Sequence, residues 1–306
     1  MVKLQKKVAI LASENMLPGS ETARDDIFEL EEQMGKLRPA FAARGMELDL
    51  VNWREAPRLA DEYDAMLPLL VWDYFEENEV KFLQFMAQIS QKTNLFNPFD
   101  VIQWNANKAY LEELSGLGAP TIPSIFVDHA TQKNVLRAMD KFGSDTVVIK
   151  PEIGGGAWRQ ALYARGEPFP ARSELPPKGA LIQPFLDRVK DEGEYSFLYF
   201  GGQFSHALVK IPKKGDYRVQ SMYGSSEKTY EPTQGEREQA RAVLDVLTFT
   251  PLYARVDLLR GNQGQLLLIE LEMIEPYLYL LHAKGSGGDN KGAQNLAKAL
   301  AKKLGL

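Results

Sequence analysis

The chain has 306 residues, of which 44% are hydrophobic and 25% are charged, and its formal net charge is −5. This composition is typical of a globular protein of two or three domains, and the negative charge argues against a broad basic surface for nucleic acid. Because cysteine is absent, disulfides, a thiolate nucleophile and sulfur-bound zinc are excluded. We therefore expect small-molecule partners.

Strand and helix patterns alternate over the first hundred residues. Buried strands are predicted at 7–13, 48–53 and 65–72, and helices at 25–44 and 76–89. This alternation predicts a small parallel α/β layer, with ligand-facing residues where strands end in loops. Asp73 follows the third strand, and we favour an N-cap of the next helix over a substrate ligand there.

No targeting or membrane-spanning segment is predicted. The apolar run at 8–12 is too short for a signal-peptide core, and no segment approaches the length of a membrane span. We therefore expect a cytoplasmic protein without a membrane partner.

Two lysines occupy places where they could meet phosphate. The pattern NANKAYLEEL predicts a helix capped by Asn105, with Lys108 one turn in. TVVIKP predicts a strand that ends near Lys150, and three glycines, Gly154 to Gly156, follow. Backbone N–H groups of such a loop can approach an anion closely. The glycines match neither GxGxxG nor GxxxxGK[ST], so a plain hairpin turn is the alternative.

The centre of the chain combines a hinge, a hairpin and a basic loop. ALIQPFL, residues 180–186, predicts a strand that enters a proline-containing hinge on which a purine base could sit. A hairpin pattern follows at 193–211. The loop PKKGDYRVQ carries Arg218 and is either solvated or placed to neutralise phosphate and a substrate carboxylate.

Two further features are interpreted as structural. The three histidines lack metal-ligand or triad spacing; they are His129, His206 and His282. The run Gly285 to Gly288 is interpreted as the loop before a final helix at 294–303, without a chemical role.

An acidic hairpin is predicted between Tyr253 and Pro276, with its turn at 261–264. Alternation places Arg255 with Asp257 on one face of the first strand. It places Glu270 with Glu272 on one face of the second strand. The residues predicted to point the other way are Val256, Leu258, Ile269 and Leu271. If pairing is symmetric about the turn, Asp257 lies diagonal to Glu270, about 7–8 Å away. Carboxylates suit Mg²⁺ with substrate phosphates. The alternative is a solvated strand face.

A series of motifs in this chain resembles the ATP-grasp superfamily. In chain order they are the two lysines with the glycines, the Q-P-F-L hinge, Gly193-Glu194, the basic loop and D…E-L-E…P. The ending Glu270 to Pro276 looks like that of the glutathione-synthetase-like group. W-D-Y at Trp72, N-x-N-K at Asn105 and K-x-P-K-x-G-D-x-R at Lys210 are similar to the branch that contains the cycloserine-forming cyclase, O-ureido-D-serine cyclo-ligase.

The resemblance implies roles for individual residues of this chain. Lys108 and Lys150 would contact ATP phosphates under the loop Gly154, Gly155 and Gly156. Gln183, Phe185 and Leu186 would frame the adenine and Glu194 would bind the ribose. Lys210 and Arg218 would act on the transferred phosphoryl group and the substrate. Asp257, Glu270 and Glu272 would hold one or two Mg²⁺ ions, for which Mn²⁺ could substitute.

The chain departs from the family pattern at two positions. Glu272 stands where many relatives have asparagine, which adds negative charge beside the metals. Ser196 stands where glutathione synthetases carry an arginine that clamps a carboxylate. Glutathione synthesis is therefore disfavoured.

The implied fold is α/β, with α+β character in the ATP-binding part: an ATP-grasp fold behind an N-terminal parallel α/β pre-ATP-grasp domain. We place that substrate domain at 1–112, a small lid subdomain at 113–184, and the large subdomain with the Mg²⁺ site at 185–306. The resemblance also implies a homodimer.

The implied activity is that of an ADP-forming carboxylate–amine ligase acting on a small carboxylate or amino acid. The substrate carboxylate becomes an acylphosphate that a nitrogen nucleophile attacks, within the same molecule in a cyclo-ligase or from a second amine. The alternatives are a small-molecule kinase of ATP-grasp type and a non-catalytic ATP-binding regulatory module.

Overall fold

Three sheets follow one another along the chain. The computed structural model describes residues 5–76, 78–283 and 290–306. Within these ranges the chain forms one parallel sheet and two antiparallel sheets, each packed with helices. The mixed α/β fold expected from the sequence is confirmed. The loop predicted at Gly285 to Gly288 lies outside the described residues.

The first sheet is a four-stranded parallel layer. Its strands have the order β2-β1-β3-β4 and are Lys6–Ala12 (β1), Met46–Asn52 (β2), Ala65–Leu70 (β3) and Asn94–Leu95 (β4). Parallel neighbours need crossover connections. Helices in these connections and after β4 are Phe28–Ala42 (α1), Ala56–Leu59 (α2), Glu79–Ser90 (α3) and Phe99–Asn105 (α4). The predicted parallel layer is confirmed.

The second sheet is antiparallel and follows the short helix Tyr110–Gly116 (α5). Its order is β5-β8-β6-β7, from the strands Ile125–Val127 (β5), Thr146–Pro151 (β6), Ala161–Ala164 (β7) and Ala180–Pro184 (β8). Helix Gln132–Phe142 (α6) packs on it. The Thr131 hydroxyl accepts a bond from the Asn134 N–H at the helix start, and Gly143 ends the helix at a φ of 62°, which suits a residue without Cβ.

The third sheet has five strands in the order β11-β10-β9-β12-β13. They are Glu194–Phe200 (β9), Gln203–Ile211 (β10), Ser226–Tyr230 (β11), Tyr253–Arg260 (β12) and Leu266–Glu272 (β13). The accompanying helices are Val189–Glu192 (α7), Gln234–Asp245 (α8) and Lys291–Lys303 (α9). Apolar residues of α8 pack on one face of this sheet, while α9 packs between the other face, at β9 and β10, and helix α1.

A β-bulge shifts the register of the acidic hairpin. The hairpin itself is confirmed, but Asp257 pairs directly with Glu270, and Leu258 pairs with Leu268. Ile269 is therefore the extra residue of the bulge. The predicted diagonal placement of Asp257 and Glu270 was wrong. The prediction that Ile269 faces away from the acids was also wrong, because Ile269 lines the same cleft as Glu270.

Two predicted helix caps have other roles. Asp73 does not cap α3, which begins six residues later. Its carboxylate accepts hydrogen bonds from Ser13 Oγ at 2.7 Å and Trp53 Nε1 at 2.8 Å, and it pairs with Arg54 at 2.7 Å. Asn105 is the last residue of α4 rather than the cap of the following helix. Both predictions failed because distant strands supply the partners of these side chains.

Among the described helices, none is both long enough and apolar enough to cross a bilayer.

Asn105 joins α4 to the acidic strand β13. Its amide donates to the Leu271 carbonyl at 2.7 Å and accepts from the Met273 N–H at 2.8 Å, in buried surroundings. Asn105→Ala leaves both backbone groups unsatisfied, and we expect it to lower the free energy of unfolding by about 2–4 kcal/mol in urea denaturation. Asn94→Ala is the control, because its exposed amide makes a single bond to Asp64. Equal losses in the two variants would contradict this role.

Candidate active site

A cleft of about 350 Å³ lies where the three sheets meet. Its walls come from the ends of β6 and β8, from β9, β10, β12 and β13, and from the loop after β3. The structure brings together on these walls nearly all the residues named from the sequence: Lys108, Lys150, Gly154, Gly155, Gly156, Gln183, Phe185, Leu186, Glu194, Lys210, Asp257, Glu270 and Glu272.

Arg218 is the candidate that the structure does not bring onto the cleft wall. Its guanidinium pairs with Asp216 at 2.7 Å and lies 3.8 Å from the Tyr223 ring centroid, while the neighbouring Tyr217 and Val219 line the cleft. Arg218 would have to leave Asp216 to act on a bound molecule.

Lys150 is a buried cation without a carboxylate partner. Only 7% of its surface is exposed, and no carboxylate lies within 4 Å of its ammonium in the ranges that the structure describes. Burial lowers the pKa of Lys150 to about 8, although Glu270 and Glu194 partly oppose this effect. Since a desolvated ammonium favours an anion beside it, the cleft is suited to a negatively charged ligand at this point.

Lys108 connects the acidic strand to the glycine loop, which we define as residues 152–157. Its ammonium lies 3.0 Å from Glu270 Oε1 and also donates to the carbonyl of Gly154. The Lys108 N–H donates to the Glu152 carbonyl at 2.8 Å. At Gly155 an added Cβ would lie 3.0 Å from the Phe75 ring, so this glycine allows the loop to pack closely on the first sheet's side of the cleft.

A network of buried charges covers the cleft face of the third sheet. Arg255 donates through Nε to both oxygens of Asp257 at 2.9–3.0 Å and through its terminal nitrogen to Glu272. Ser196 Oγ donates to Asp257 at 2.5 Å. Lys210 pairs with Glu194 at 2.5 Å and lies 3.8 Å from Asp257. Acids and bases therefore alternate across neighbouring strands.

These contacts shift the proton affinities of the network in different directions. Burial alone would raise the pKa of Asp257, but Arg255 and Lys210 hold it below its ordinary value. Burial would lower the pKa of Lys210, but Asp257 and Glu194 raise it. Burial raises the pKa of Glu272 to about 7 despite the attraction of Arg255. Asp257 and Lys210 are therefore charged at neutral pH, whereas Glu272 is poised to exchange a proton.

The three acidic candidates fit a hard divalent cation by donor type. Asp257 and Glu270 are direct partners across β12 and β13, and Glu272 is two residues further along β13, so oxygen ligands of the kind that Mg²⁺ prefers lie on one surface. The described residues contain no preassembled group of three acidic or histidine side chains at metal-binding distance. Arg255 and Lys108 hold these carboxylates instead, and they would have to release them to a metal.

One end of the cleft is apolar. Ile269, which the bulge turns into the cleft, packs with Val148, Phe185 and Leu186 in one cluster. Gln183 is buried, and its amide donates to Ser124 Oγ at 3.0 Å. A planar ring fits between such walls, because apolar pockets with a few fixed polar groups are typical of ligand sites.

The opposite end contains residues that the sequence reasoning missed. The Trp72 indole N–H donates to the Glu275 carbonyl at 2.9 Å, and the Arg24 guanidinium lies 5.7 Å from the Trp72 ring centroid. Burial, together with Glu272 and Glu270, raises the pKa of Glu275 well above its ordinary value. Arg255 was recognised as facing Asp257 but not as a site residue. The E-P ending and strand alternation were the only sequence signals for Glu275 and Arg255.

The chain is similar to known proteins over most of its length. The family described as D-cycloserine synthetase DcsG, N-terminal domain, matches residues 8–97. Cycloserine biosynthesis protein DcsG of Streptomyces lavendulae is 26% identical over 294 residues, which cover 90% of this chain and 95% of that protein. The crystal structure of D-cycloserine synthetase DcsG has a TM-score of 0.83 at 23% identity, covering 97% of this chain and 99% of the other.

The chain is similar to D-cycloserine synthetase and has the fold of the ATP-grasp ligases. The ATP-grasp fold is shared with D-alanine–D-alanine ligase from Bacillus anthracis complexed with ATP, with a TM-score of 0.67 at 14% identity over 98% of this chain and 99% of the other. It is also shared with the ATP-grasp ligase PsnB in complex with Mg, ADP and a variant precursor, with a TM-score of 0.62 at 13% identity over 97% and 100%. The expected resemblance is confirmed.

The lowered pKa of Lys150 predicts how stability depends on pH. Lys150 is charged in the folded protein below pH about 8 and in the unfolded chain up to about 10.4. The unfolded state therefore binds more protons between these values, and stability rises with pH across this window. We expect the free energy of unfolding of Lys150→Met to be about 1–3 kcal/mol higher than that of the parent at pH 7. This difference should vanish above pH 10.5.

Denaturant unfolding of the ligand-free protein at pH 7 and pH 10.5 measures this difference. Lys92→Met is the control, because Lys92 is an exposed lysine paired with Asp61. A Lys150→Met variant that is less stable than the parent at pH 7 would show that the ammonium has a partner in the cleft.

Proposed function

We propose that the protein uses ATP to activate a small-molecule carboxylate as an acylphosphate, which a nitrogen nucleophile then attacks to give ADP, phosphate and a C–N bond. The observation that carries this proposal is Lys150, a buried ammonium beside the glycine loop that has no carboxylate partner among the described residues. An unpaired buried cation next to backbone N–H groups is suited to a phosphate.

ATP would lie with its base at the apolar end and its phosphates under the glycine loop. The walls formed by Phe185, Leu186 and Ile269 would enclose the adenine, and the backbone near Gln183 would bond to its edge. Glu194, at the start of β9, would accept from the ribose hydroxyls. Lys108, Lys150 and Gly154 to Gly156 would hold the phosphates.

Asp257, Glu270 and Glu272 would hold one or two Mg²⁺ ions, which would supply positive charge to neutralise the phosphates. Lys210 is already fixed by Glu194 and remains charged at neutral pH. It would therefore stabilise the transferred phosphoryl group, together with Arg255 and with Arg218 once that residue leaves Asp216. Such positioning and charge stabilisation are the main protein contributions to phosphoryl transfer.

The chemistry would proceed in two steps. A substrate carboxylate oxygen attacks the γ-phosphorus of ATP, and the bond to the β-phosphate oxygen breaks to release ADP. The nitrogen nucleophile then attacks the acyl carbon, loses a proton and expels phosphate.

The charges at the far end of the cleft favour an amino acid as substrate. Burial raises the pKa of Glu76 as well as that of Glu275, so a nearby ammonium group would stabilise both carboxylates in their charged form. Trp72 offers an aromatic face beside them, against which Arg24 already lies. An amino acid whose carboxylate points to the phosphates and whose ammonium points to these acids would suit both ends.

Ring closure within one substrate is the finer form of the proposal. The likeness to a cycloserine biosynthesis protein over 90% of the chain supports it, as does Ser196, which stands in place of an arginine that would clamp a second carboxylate. Formation of an amide between two small amino acids is the alternative outcome.

We also propose that the three sheets correspond to three functional units: a substrate domain at 1–112, a lid at 113–184 and a large subdomain at 185–306. The sheets fall within these ranges one after another. A homodimer stays a prediction, which sedimentation analysis can check.

Lys150→Met should separate catalysis from stability. We expect kcat/KM for ATP to fall about a hundred- to thousandfold, the usual effect of removing one charge that stabilises the transition state. The free energy of unfolding of the ligand-free variant should nevertheless be higher than that of the parent. ADP release measured with the best substrate tests this, with Lys92→Met as the control. Unchanged kinetics would contradict phosphate binding by Lys150.

Hydroxylamine trapping should reveal the acylphosphate. We expect ATP-dependent phosphate release when amino acids and small carboxylates are screened singly and in pairs, and a hydroxamate when hydroxylamine is added. Activity with a single compound would indicate cyclisation. ADP formation without any hydroxamate would instead indicate a kinase, and the absence of ADP release with every compound would favour a regulatory module.

A further inference from the structure

A second groove lies on the side of the third sheet opposite the cleft. It is formed by the β9–β10 hairpin and the exposed side of α8 and is lined by Tyr199, Gly202, Gln203, Phe204, Pro232, Gln234, Arg237, Glu238 and Arg241. None of these residues lines the cleft. The sheet separates the two sites, because Glu194 and Ser196 of β9 belong to the cleft face while Tyr199 packs with the residues under α8.

The Tyr199 hydroxyl is a buried donor without a partner. Tyr199 is only 2% exposed, and no hydrogen-bond partner lies within reach of its hydroxyl among the described residues. Buried polar groups in folded proteins are almost always bonded, and an exception calls for an explanation. Burial raises the pKa of the Tyr199 phenol, so the group remains a neutral O–H donor at neutral pH.

Two arginines adjoin this hydroxyl. Arg237 and Arg241 are four residues apart on α8, and both act electrostatically on the Tyr199 phenol, as does Asp245. Arg241 donates to Asp245 at 2.6 Å and to the Gly202 carbonyl. Arg237 lies 5.0 Å from the Phe204 ring centroid and has no carboxylate within 4 Å in the described part of the chain. Like charges at this spacing repel each other on a helix.

Arg237 is the guanidinium of the groove that has no carboxylate within 4 Å among the described residues. Asp245 is engaged by Arg241, and Glu238 accepts from Gln234 at 2.9 Å. A guanidinium group matches carboxylate and phosphate oxygens in geometry, so Arg237 is suited to bind an oxyanion.

We infer that this groove is a binding site for a small organic oxyanion, a carboxylate or a phosphate. The Tyr199 hydroxyl donates one hydrogen bond to it, and Arg237 supplies the charge. Phe204 and Pro232 contact the apolar part of the ligand. The site is independent of ATP binding in the cleft, and its occupation stabilises the β9–β10 hairpin that carries Glu194 and Ser196 on the other face.

The test is an anion titration of the full-length protein carrying Lys150→Met, which weakens phosphate binding in the cleft. Inorganic phosphate and acetate are the two probes, measured by thermal unfolding and calorimetry against sodium chloride of equal ionic strength. We expect at least one probe to raise Tm with its concentration, as a ligand bound only to the folded state must. The probe that binds shows which oxyanion the groove takes.

Single substitutions then locate the bound anion. Arg237→Gln should weaken binding about tenfold or more, as expected for the loss of a charge-assisted hydrogen bond. Tyr199→Phe should weaken it several-fold without destabilising the ligand-free protein, because the hydroxyl has no partner to lose. Arg58→Gln is the matched control, since Arg58 is an exposed arginine paired with Glu55 on the first domain, and it should bind as the parent does.

Several results would overturn the inference. One is a Tm shift that sodium chloride reproduces, or no shift with either probe. Another is anion binding that persists unchanged in both Arg237→Gln and Tyr199→Phe. A third is binding by the parent that disappears in Lys150→Met, which would place the anion in the cleft.

Discussion

The pairing of buried charges on the cleft face of the third sheet is the constraint on which the site depends. Arg255 holds Asp257 and Glu272, Lys210 holds Glu194, and Lys108 holds Glu270. Removing one member of a buried pair leaves its partner uncompensated in a poorly solvated place. The acids that suit a metal can therefore be kept together only because cations stand between them. Lys150 is the exception that leaves charge available for a ligand.

The bulge at Ile269 lets one short strand present both an apolar and an acidic side chain to the cleft. A regular strand would turn every second residue away from the cleft. The extra residue instead lets apolar Ile269 and acidic Glu270 face the cleft in succession. Neighbouring positions of β13 thereby present an apolar wall and a carboxylate to the same cleft. The strand continues beyond the bulge, so Leu271 still packs into the core beneath α8.

Much of this arrangement was predictable from local patterns, and the remainder depended on tertiary contacts. The parallel layer, the acidic hairpin and strand β6 with Lys150 follow from apolar periodicity and turn residues. The bulge could not be predicted, because it depends on how two strands pair rather than on either strand alone. Asn105 and Asp73 were misassigned because their partners lie far along the chain. The roles of Glu275 and Tyr199 become apparent only from the groups packed around them.

Lys108 has a consequence for how the cleft responds to a ligand. Its ammonium group has two partners, a carboxylate on β13 and a carbonyl in the glycine loop. A triphosphate that bound this ammonium, as proposed above, would release both partners. Glu270 would then be free to accept another cation, and the glycine loop would lose one of its contacts. Nucleotide binding, cation binding by the acidic strand and rearrangement of the loop would therefore be coupled through one nitrogen atom.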